Sequence, residues 1–575
     1  MCGILFSKNI ETNLFLKALK TQGHRGPDNT GFKFYDDICL GHNRLAIIDL
    51  DNSANQPFNL NHLTIIFNGE IYNFKKLREK LEDLDCEFKT NSDTEVILIG
   101  YTIYGTSFFK QLIGMFSLII YDSKKDEIIV ARDFYGQKPL YKYLKDDKIV
   151  FSSELKPISI LVKNTFDEDS IKYYLRYGMF QAYKTPFIEI SEVENNCYFR
   201  YSISNDIVLL EKEKIFDEHS FENKTLFLEN LSKASIDRTV SDVPIGLFLS
   251  SGIDSTVIAG MLKEHSIKSY TVSFNNSFDE SGLANITAKK LKLSNEVLHC
   301  NEKNNINYVK NIDNYIDIPF ADPSYIPFLQ LCNKASEKIK VAITGDGGDE
   351  LLHGYKRYKY IFLAFFISKL PQILRIIVSK IINKTRVNDI ILQNNFNGMC
   401  NRIMSFENEY FLNYLPNYGN EIKTLEDYFI LEEINYLKND ILVKSDRASM
   451  RFGLELRSPF LDVRLFRFKK NNFSSIFKNI IFQKKILKDY LKERSFNHIL
   501  NKPKRGFTVN LTKELFELKK DVINSTDYVI KKFPNLIDQI KFQSFRDDFY
   551  NRKNSDYRTL FKIYVLGKWL KNISH

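Results

Sequence analysis

Three stretches of this chain carry residues whose types and spacing can do chemistry. The first opens the sequence. Cys2 becomes the leading residue once the initiator Met is removed. A free α-amine beside a thiol is a compact nucleophile–base pair, because an amine with an ordinary pKa of about 7.7–8.0 can accept the thiol proton near neutral pH. Gly3 leaves room for a substrate, and an ordinary cysteine near a terminus is the plain alternative. Asn68-Gly69 ends an apolar run. A side-chain amide followed by a backbone N–H is what an oxyanion hole needs, and the same pair is the commonest hairpin-turn signal. Arg44 could clamp a carboxylate bidentately. Asp93, in Ser92-Asp93-Thr94-Glu95, could hold an ammonium group or cap a helix.

The second stretch is Ser250-Ser251-Gly252-Ile253-Asp254-Ser255-Thr256, between a predicted strand and a predicted helix. Small residues let a ligand approach the backbone, and a helix N-terminus offers free N–H groups and a positive dipole end. This suits an anion, with pyrophosphate the natural occupant and Mg²⁺ needed to reconcile it with Asp254. It is not a Walker A loop, since no Gly-Lys-Ser/Thr follows, and a capped helix start is the plain alternative. The third stretch is Thr344-Gly345-Asp346-Gly347-Gly348-Asp349-Glu350. It too follows a short apolar strand, at the edge of a parallel sheet where ligands bind. Asp349 and Asp254 are oxygen ligands suited to sharing one Mg²⁺.

The elements that must position these residues fall into two grammars. Up to about residue 200, short apolar runs read as strands: 39–41, 45–49, 63–68, 115–121, 127–132 and 148–152, with helices at 74–83 and 93–104. That is an α+β pattern with antiparallel strands. The polar stretch 206–224 reads as a linker between a first domain, 1–205, and a second, 225–575. There strands at 245–249, 269–274, 296–299 and 340–343 alternate with helices at 225–240, 256–263 and 281–291. Such alternation implies a parallel sheet covered by helices. Beyond 350 nearly everything reads as helix, including two amphipathic helices either side of Pro371.

Composition narrows the class. The 575 residues are 44% hydrophobic and 26% charged, which excludes a mainly disordered or collagen-like chain. The net charge of +10 is spread without a dense basic run, so no nucleic-acid partner is expected. Seven scattered cysteines without a CxxC fit a reducing compartment. No signal peptide and no membrane-length apolar run is evident, so the expected location is the cytoplasm, without a membrane partner.

Taken in order, these motifs resemble the class II glutamine amidotransferases, and within them the glutamine-hydrolysing asparagine synthetase family. The set runs from Met1-Cys2-Gly3-Ile4 through His24-Arg25-Gly26-Pro27-Asp28, Asn68-Gly69-Glu70-Ile71-Tyr72-Asn73 and the two loops to Ser445-Asp446-Arg447-Ala448-Ser449-Met450 and Glu455-Leu456-Arg457-Ser458-Pro459-Phe460-Leu461-Asp462. The resemblance implies an N-terminal-nucleophile domain of stacked antiparallel sheets, followed by an α/β parallel-sheet ATP-pyrophosphatase domain with a helical C-terminal part. It implies that Cys2 forms a γ-glutamyl thioester, that ammonia is tunnelled inward, and that ATP activates aspartate as a β-aspartyl-adenylate.

Carried over by position, Arg44, Asn68, Gly69, Glu70 and Asp93 hold glutamine. Leu249, Val272, Thr344 and Gly345 frame the adenosine, Ser250, Ser251, Gly252 and Ser255 line the phosphates, and Asp254 and Asp349 hold Mg²⁺. Three positions depart from the family pattern. Ser251 stands where many members have Gly. Asp346 stands where they carry the Glu tied to the acyl-adenylate. Arg447 replaces a phosphate-side Lys, a role Lys444 on the same helical face could take. These departures leave a second acceptor open: another carboxylate, such as a uronic acid of a surface polysaccharide. A non-catalytic protein on the same fold is the remaining alternative. Such enzymes are often homodimers, and the oligomeric state stays open.

Overall fold

The structure, a computed structural model, describes residues 2–573 apart from 205–206, 218–223, 275–278, 280, 383–384, 407, 420, 467–479, 481 and 501–508. The N-terminal part folds into two six-stranded antiparallel sheets stacked face to face. Strand Gly3–Lys8 sits inside the first sheet between Ile38–Arg44 and Lys148–Ser152. Strand Leu63–Ile71 pairs with Gly114–Asp122 in the second.

Alternation along each strand explains the stacking. Ile4 and Phe6 pack between the sheets with Leu40, Ile66, Ile119 and Phe151. Leu5 points the other way and clusters with Phe15, Ala18 and Leu19 of helix Thr12–Thr21. Ile65 and Phe67 likewise meet Leu77, Leu81 and Val96 of helices Phe74–Glu82 and Asp93–Tyr104. Both faces of each sheet are therefore buried, and the strands read as unbroken apolar runs rather than as clean alternation.

Three expectations about this region need correction. The apolar run 45–49 forms no strand. Instead the chain leaves the ladder after Arg44, and the carbonyls of Ile48 and Asp49 turn back to accept from the Arg44 guanidinium. Asn68-Gly69 is no turn either. It lies inside a nine-residue strand, opposite Ser117 and Phe116. A Cβ on Gly69 would stand 2.2 Å from the Met115 carbonyl oxygen, so the glycine serves a close approach of two backbones. Finally, the expected linker begins as sheet. Residues Val208–Lys214 pair antiparallel with Cys197–Ser202 as an exposed edge strand, whose charges are the usual protection of an edge. Of the rest of that stretch, 206 and 218–223 lie outside the described residues.

The C-terminal part is built on a five-stranded parallel sheet ordered Asn295–His299, Lys268–Ser273, Ile245–Phe248, Val341–Ile343, Glu455–Arg457. From the central strand Ile245–Phe248 the chain first builds outward through two strands on one side, then crosses to Val341–Ile343 on the other. That reversal leaves a crevice at the carboxyl ends of the two middle strands. The last strand, Glu455–Arg457, lies in a region expected to be nearly all helical. Three residues are too few for a sequence pattern, and its pairing with Val341–Ile343 is entirely non-local. The two helices around Pro371 are present, as Lys356–Ile367 and Gln372–Ile381.

Candidate functional site

The residues expected to hold glutamine converge on one cavity lined by Cys2, Arg44, Gly69, Glu70 and Asp93. Strand Gly3–Lys8 delivers Cys2 to its rim, and Cys2 is 7% exposed. Asn68 stands beside it. The Cys2 backbone nitrogen donates to Asn68 Oδ1 at 2.9 Å, while Asn68 Nδ2 is buried and has no hydrogen-bond partner among the described residues. An unpartnered buried amide donor is costly, and its position next to the thiol makes it available to a developing oxyanion.

Arg44 is held rigid. Nη1 donates to Asp51 O (2.9 Å) and Asn55 Oδ1 (2.7 Å), and Nη2 reaches the Ile48 and Asp49 carbonyls. Asp93 opens its helix, but the cap is Ser92, whose Oγ accepts from Glu95 N at 3.2 Å. Asp93 Oδ2 instead accepts from Ile71 N at 3.0 Å. Burial pushes the Asp93 carboxyl up to about 6. Burial also raises Glu70 well above the ordinary carboxylate range, against the pull of Arg457. Burial raises the Cys2 thiol as well, opposed by the chain's amino terminus, the Leu45 backbone and Arg44.

One wall of this cavity comes from the other half of the chain. Glu455, on the edge strand of the parallel sheet, lines it together with Cys2. Burial opposes its charge, but the amino terminus, Arg457 and Lys138 hold Glu455 down at about 2. Arg457 donates to Glu455 (2.6 Å) and to Glu70 (2.9 Å). The Arg457 carbonyl accepts from Thr344 N at 2.9 Å. A single short strand therefore touches both the thiol cavity and the second glycine loop. Sequence reading quoted these residues without giving them a role, because nothing local to them signals a site.

In the parallel-sheet half the two loops meet as expected. The first leaves Ile245–Phe248 and enters helix Ile253–Met261, and the second leaves Val341–Ile343. Ser250 Oγ and Ser255 Oγ lie 2.9 Å apart, Gly252 N donates to Ser250 Oγ (3.1 Å), and Ser251 is half-exposed beside them. Leu249 is anchored by its N–H on Tyr270 O (2.9 Å), next to half-buried Val272 on the adjacent strand. Glycines allow the loops to touch. A Cβ on Gly345 would lie 3.0 Å from Asp254 Cβ, and one on Gly348 2.9 Å from Asp254 Cγ. Asp346 Oδ2 accepts from Thr344 Oγ1 (3.2 Å) and Ser445 Oγ (2.8 Å).

Asp254 and Asp349 are brought together through Lys484, whose ammonium pairs with Asp254 and, at 2.7 Å, with Asp349. Lys484 is buried, with φ +55° in the left-handed region at the start of helix Lys485–Glu493. Sequence reading missed it, since it is one lysine in a Lys-rich stretch far from both loops. Among the described residues no group of three or more His, Cys, Asp or Glu is placed so that it could hold a metal ion by itself. The pair still fits Mg²⁺, which takes one or two carboxylates and fills the rest with water and phosphate, and Asp254 Oδ1 is buried without a hydrogen-bond partner among the described residues.

The two phosphate-side candidates are engaged by other groups. Lys444 bonds Asp322 Oδ2 (2.9 Å) and Ser324 Oγ (3.1 Å). Arg447 pairs with Asp446 and with Asp317 (3.3 Å), and donates to Tyr141 OH (3.0 Å). Buried carboxylates capture both cations, as the cost of burying a lone charge requires.

Two separate centres on one chain, a thiol cavity and a nucleotide-type crevice, define a two-site enzyme. A family profile for a glutamine amidotransferase domain matches residues 1–209, and one for asparagine synthase matches 226–571. The chain is 30% identical over 557 residues to a glutamine-hydrolysing asparagine synthetase of Bacillus subtilis, covering 88% of this chain and 87% of that one. It is 32% identical over 441 residues to a putative asparagine synthetase of Methanocaldococcus jannaschii, covering 68% and 82%. It is also 30% identical over 390 residues to an amidase of Gibberella zeae, covering 61% and 56%. The chain belongs to the asparagine synthase family and is a glutamine-dependent amidotransferase of that type.

Proposed function

We propose that the enzyme makes asparagine from aspartate, ATP and glutamine, with ammonia passing between the two centres inside the molecule. The observation that carries this reading is the single cavity uniting Cys2, Arg44, Gly69, Glu70 and Asp93 with Glu455 of the other half. In the first half-reaction, Cys2 Sγ attacks the side-chain amide carbon of glutamine, and the α-amine of a processed Cys2 takes the thiol proton. Asn68 Nδ2 and the Gly69 N–H receive the oxyanion. Collapse expels ammonia, and water then cleaves the thioester to glutamate. Arg44 pairs with the substrate α-carboxylate. Asp93 and the neighbouring Glu70 take its α-ammonium, which compensates two buried acids at once.

In the second half-reaction, the backbone of Leu249, Val272, Thr344 and Gly345 frames adenosine. The loop residues Ser250, Ser251, Gly252 and Ser255 meet the phosphates at a helix N-terminus. Mg²⁺ held by Asp254 and Asp349 would neutralise phosphate charge, and Lys484 adds a cation at the same point. The acceptor carboxylate attacks the α-phosphorus and pyrophosphate leaves. Ammonia then displaces AMP from the acyl-adenylate, with Asp346 beside the reacting carbon. Residues 1–205 plus the edge strand Val208–Lys214 form the glutaminase unit, and 225–575 the synthetase unit. Free ammonia is mostly ammonium at pH 7, so two centres sharing one wall have chemical value.

A second reading keeps the machinery and changes the acceptor to another carboxylate, such as a uronic acid. It is favoured by the capture of Arg447 and Lys444 by acids, which leaves the acceptor side unlike the expected arrangement. It is also in keeping with a relative named as an amidase. Cys2→Ala tests the division into two sites. It abolishes synthesis from glutamine and leaves synthesis from ammonium salts intact, and loss of both activities in a folded protein would contradict separable sites.

A further inference from the structure

The second helix of the hairpin around Pro371 is turned inside out. In helix Gln372–Ile381 the side chains facing the protein are polar, with Arg375 and Ser379 buried. Arg375 donates to the Gln393 and Asn394 carbonyls. The side chains facing outward are apolar: Ile373 is 72% exposed and Ile377 51%, with Leu374 beside them. The stripe continues onto helix Lys356–Ile367 and its end, through Leu363 (56% exposed), Phe366 and Leu370. Soluble helices bury their apolar stripe and wet their polar one. Helix Gln372–Ile381 does the reverse, whereas Lys356–Ile367 buries Tyr358, Ile361 and Ala364 and adds its exposed Leu363 and Phe366; a cluster of exposed apolar side chains of this kind marks an interaction surface.

Charge decides what covers it. Residues 356–382 contain six Lys or Arg and no Asp or Glu. Lys356, Lys359, Lys369 and Lys380 are exposed, and none has an acidic ion-pair partner among the described residues. We propose that this hairpin is a peripheral docking surface for an anionic lipid bilayer, with the apolar stripe entering the acyl boundary and the lysines meeting lipid phosphates. A second copy of the chain is the weaker fit, because it would set lysines against lysines. No helix among the described residues is long and apolar enough to cross the bilayer. This revises the expectation that no membrane is involved, and it stands whichever acceptor the enzyme uses. The short helix Gly348–Leu351, which carries Asp349, precedes the hairpin by four residues.

The test is co-sedimentation of the full chain with vesicles of phosphatidylcholine alone, or mixed with phosphatidylglycerol. Binding is expected only to the mixed vesicles, and it weakens in high salt. Lys359→Gln/Lys369→Gln/Lys380→Gln lowers it on the order of ten-fold or more, and Leu363→Asn/Ile373→Asn/Ile377→Asn abolishes it. Glutamine hydrolysis stays unchanged in both variants, which shows that they fold. The lysine variant alters only exposed side chains and decides the matter if the other fails to fold. No binding to mixed vesicles overturns the proposal, as does equal binding to neutral ones. A dimer in solution that the Leu363→Asn/Ile373→Asn/Ile377→Asn variant dissolves, without vesicle binding, overturns it in favour of a second copy.

Discussion

At the scale of single residues, the chemistry rests on groups held away from their ordinary states by burial. Asp93 is the clearest. Burial pushes its carboxyl up to about 6 from an ordinary value near 3.8. It is therefore a carboxylate above that pH and neutral below it. A neutral Asp93 cannot pair with the substrate α-ammonium, so KM for glutamine rises as pH falls through about 6. An Asp93→Asn variant loses that dependence at the cost of a high KM throughout, and a flat KM profile in the native enzyme would contradict the assignment. Residue type alone left Cys2 readable as an ordinary cysteine and Asp93 as a helix cap; only the ordered set of motifs singled them out together with Arg44. Lys484 was not legible, because its partners Asp254 and Asp349 lie more than a hundred residues upstream.

At the scale of elements, the lesson is that a local signal competes with a ladder it cannot see. Asn68-Gly69 reads as a turn, yet the pairing of Leu63–Ile71 with Gly114–Asp122 runs straight through it. The glycine is there for contact. Gly69→Ala puts a methyl 2.2 Å from a backbone oxygen, which forces the strands apart. It should destabilise the protein by about 1–3 kcal/mol, measured by denaturant unfolding. It should also cost glutaminase rate, because the Gly69 N–H moves with the strand, whereas synthesis from ammonium survives. Full glutaminase activity in this variant would contradict the oxyanion role. The short strands of the second half were readable because they alternate with helices and lead into the two glycine-bearing loops. The strand Glu455–Arg457 carries no such signal. It exists because its neighbour Val341–Ile343 offers an open edge, and it is the element that joins the two centres.

At the scale of the whole molecule, the two halves are locked by buried charge. Arg25 donates bidentately to Asp446 (2.8 and 2.8 Å) and also to the Cys2 carbonyl at 3.1 Å. Asp446 lies on helix Val443–Met450, which also carries Ser445 against Asp346. Burial opposes the charge of Asp446, but Arg25 and Arg447 hold its carboxyl well below the usual range. A depressed carboxylate contributes stability above its unfolded pKa and loses it as pH falls toward the folded one, so the lock weakens in acid. Asp446→Ala leaves arginine charge buried and should cost about 3–5 kcal/mol, read as a lower denaturation midpoint at neutral pH. A midpoint equal to that of the native protein would contradict the lock.

The acceptor is decided by one measurement: pyrophosphate release from ATP, Mg²⁺ and glutamine, with and without aspartate, with products identified by mass. The account predicts pyrophosphate and AMP only when aspartate is present, together with asparagine and glutamate. Glutamine hydrolysis that proceeds while aspartate triggers no pyrophosphate release would contradict it and direct the search to other carboxylates.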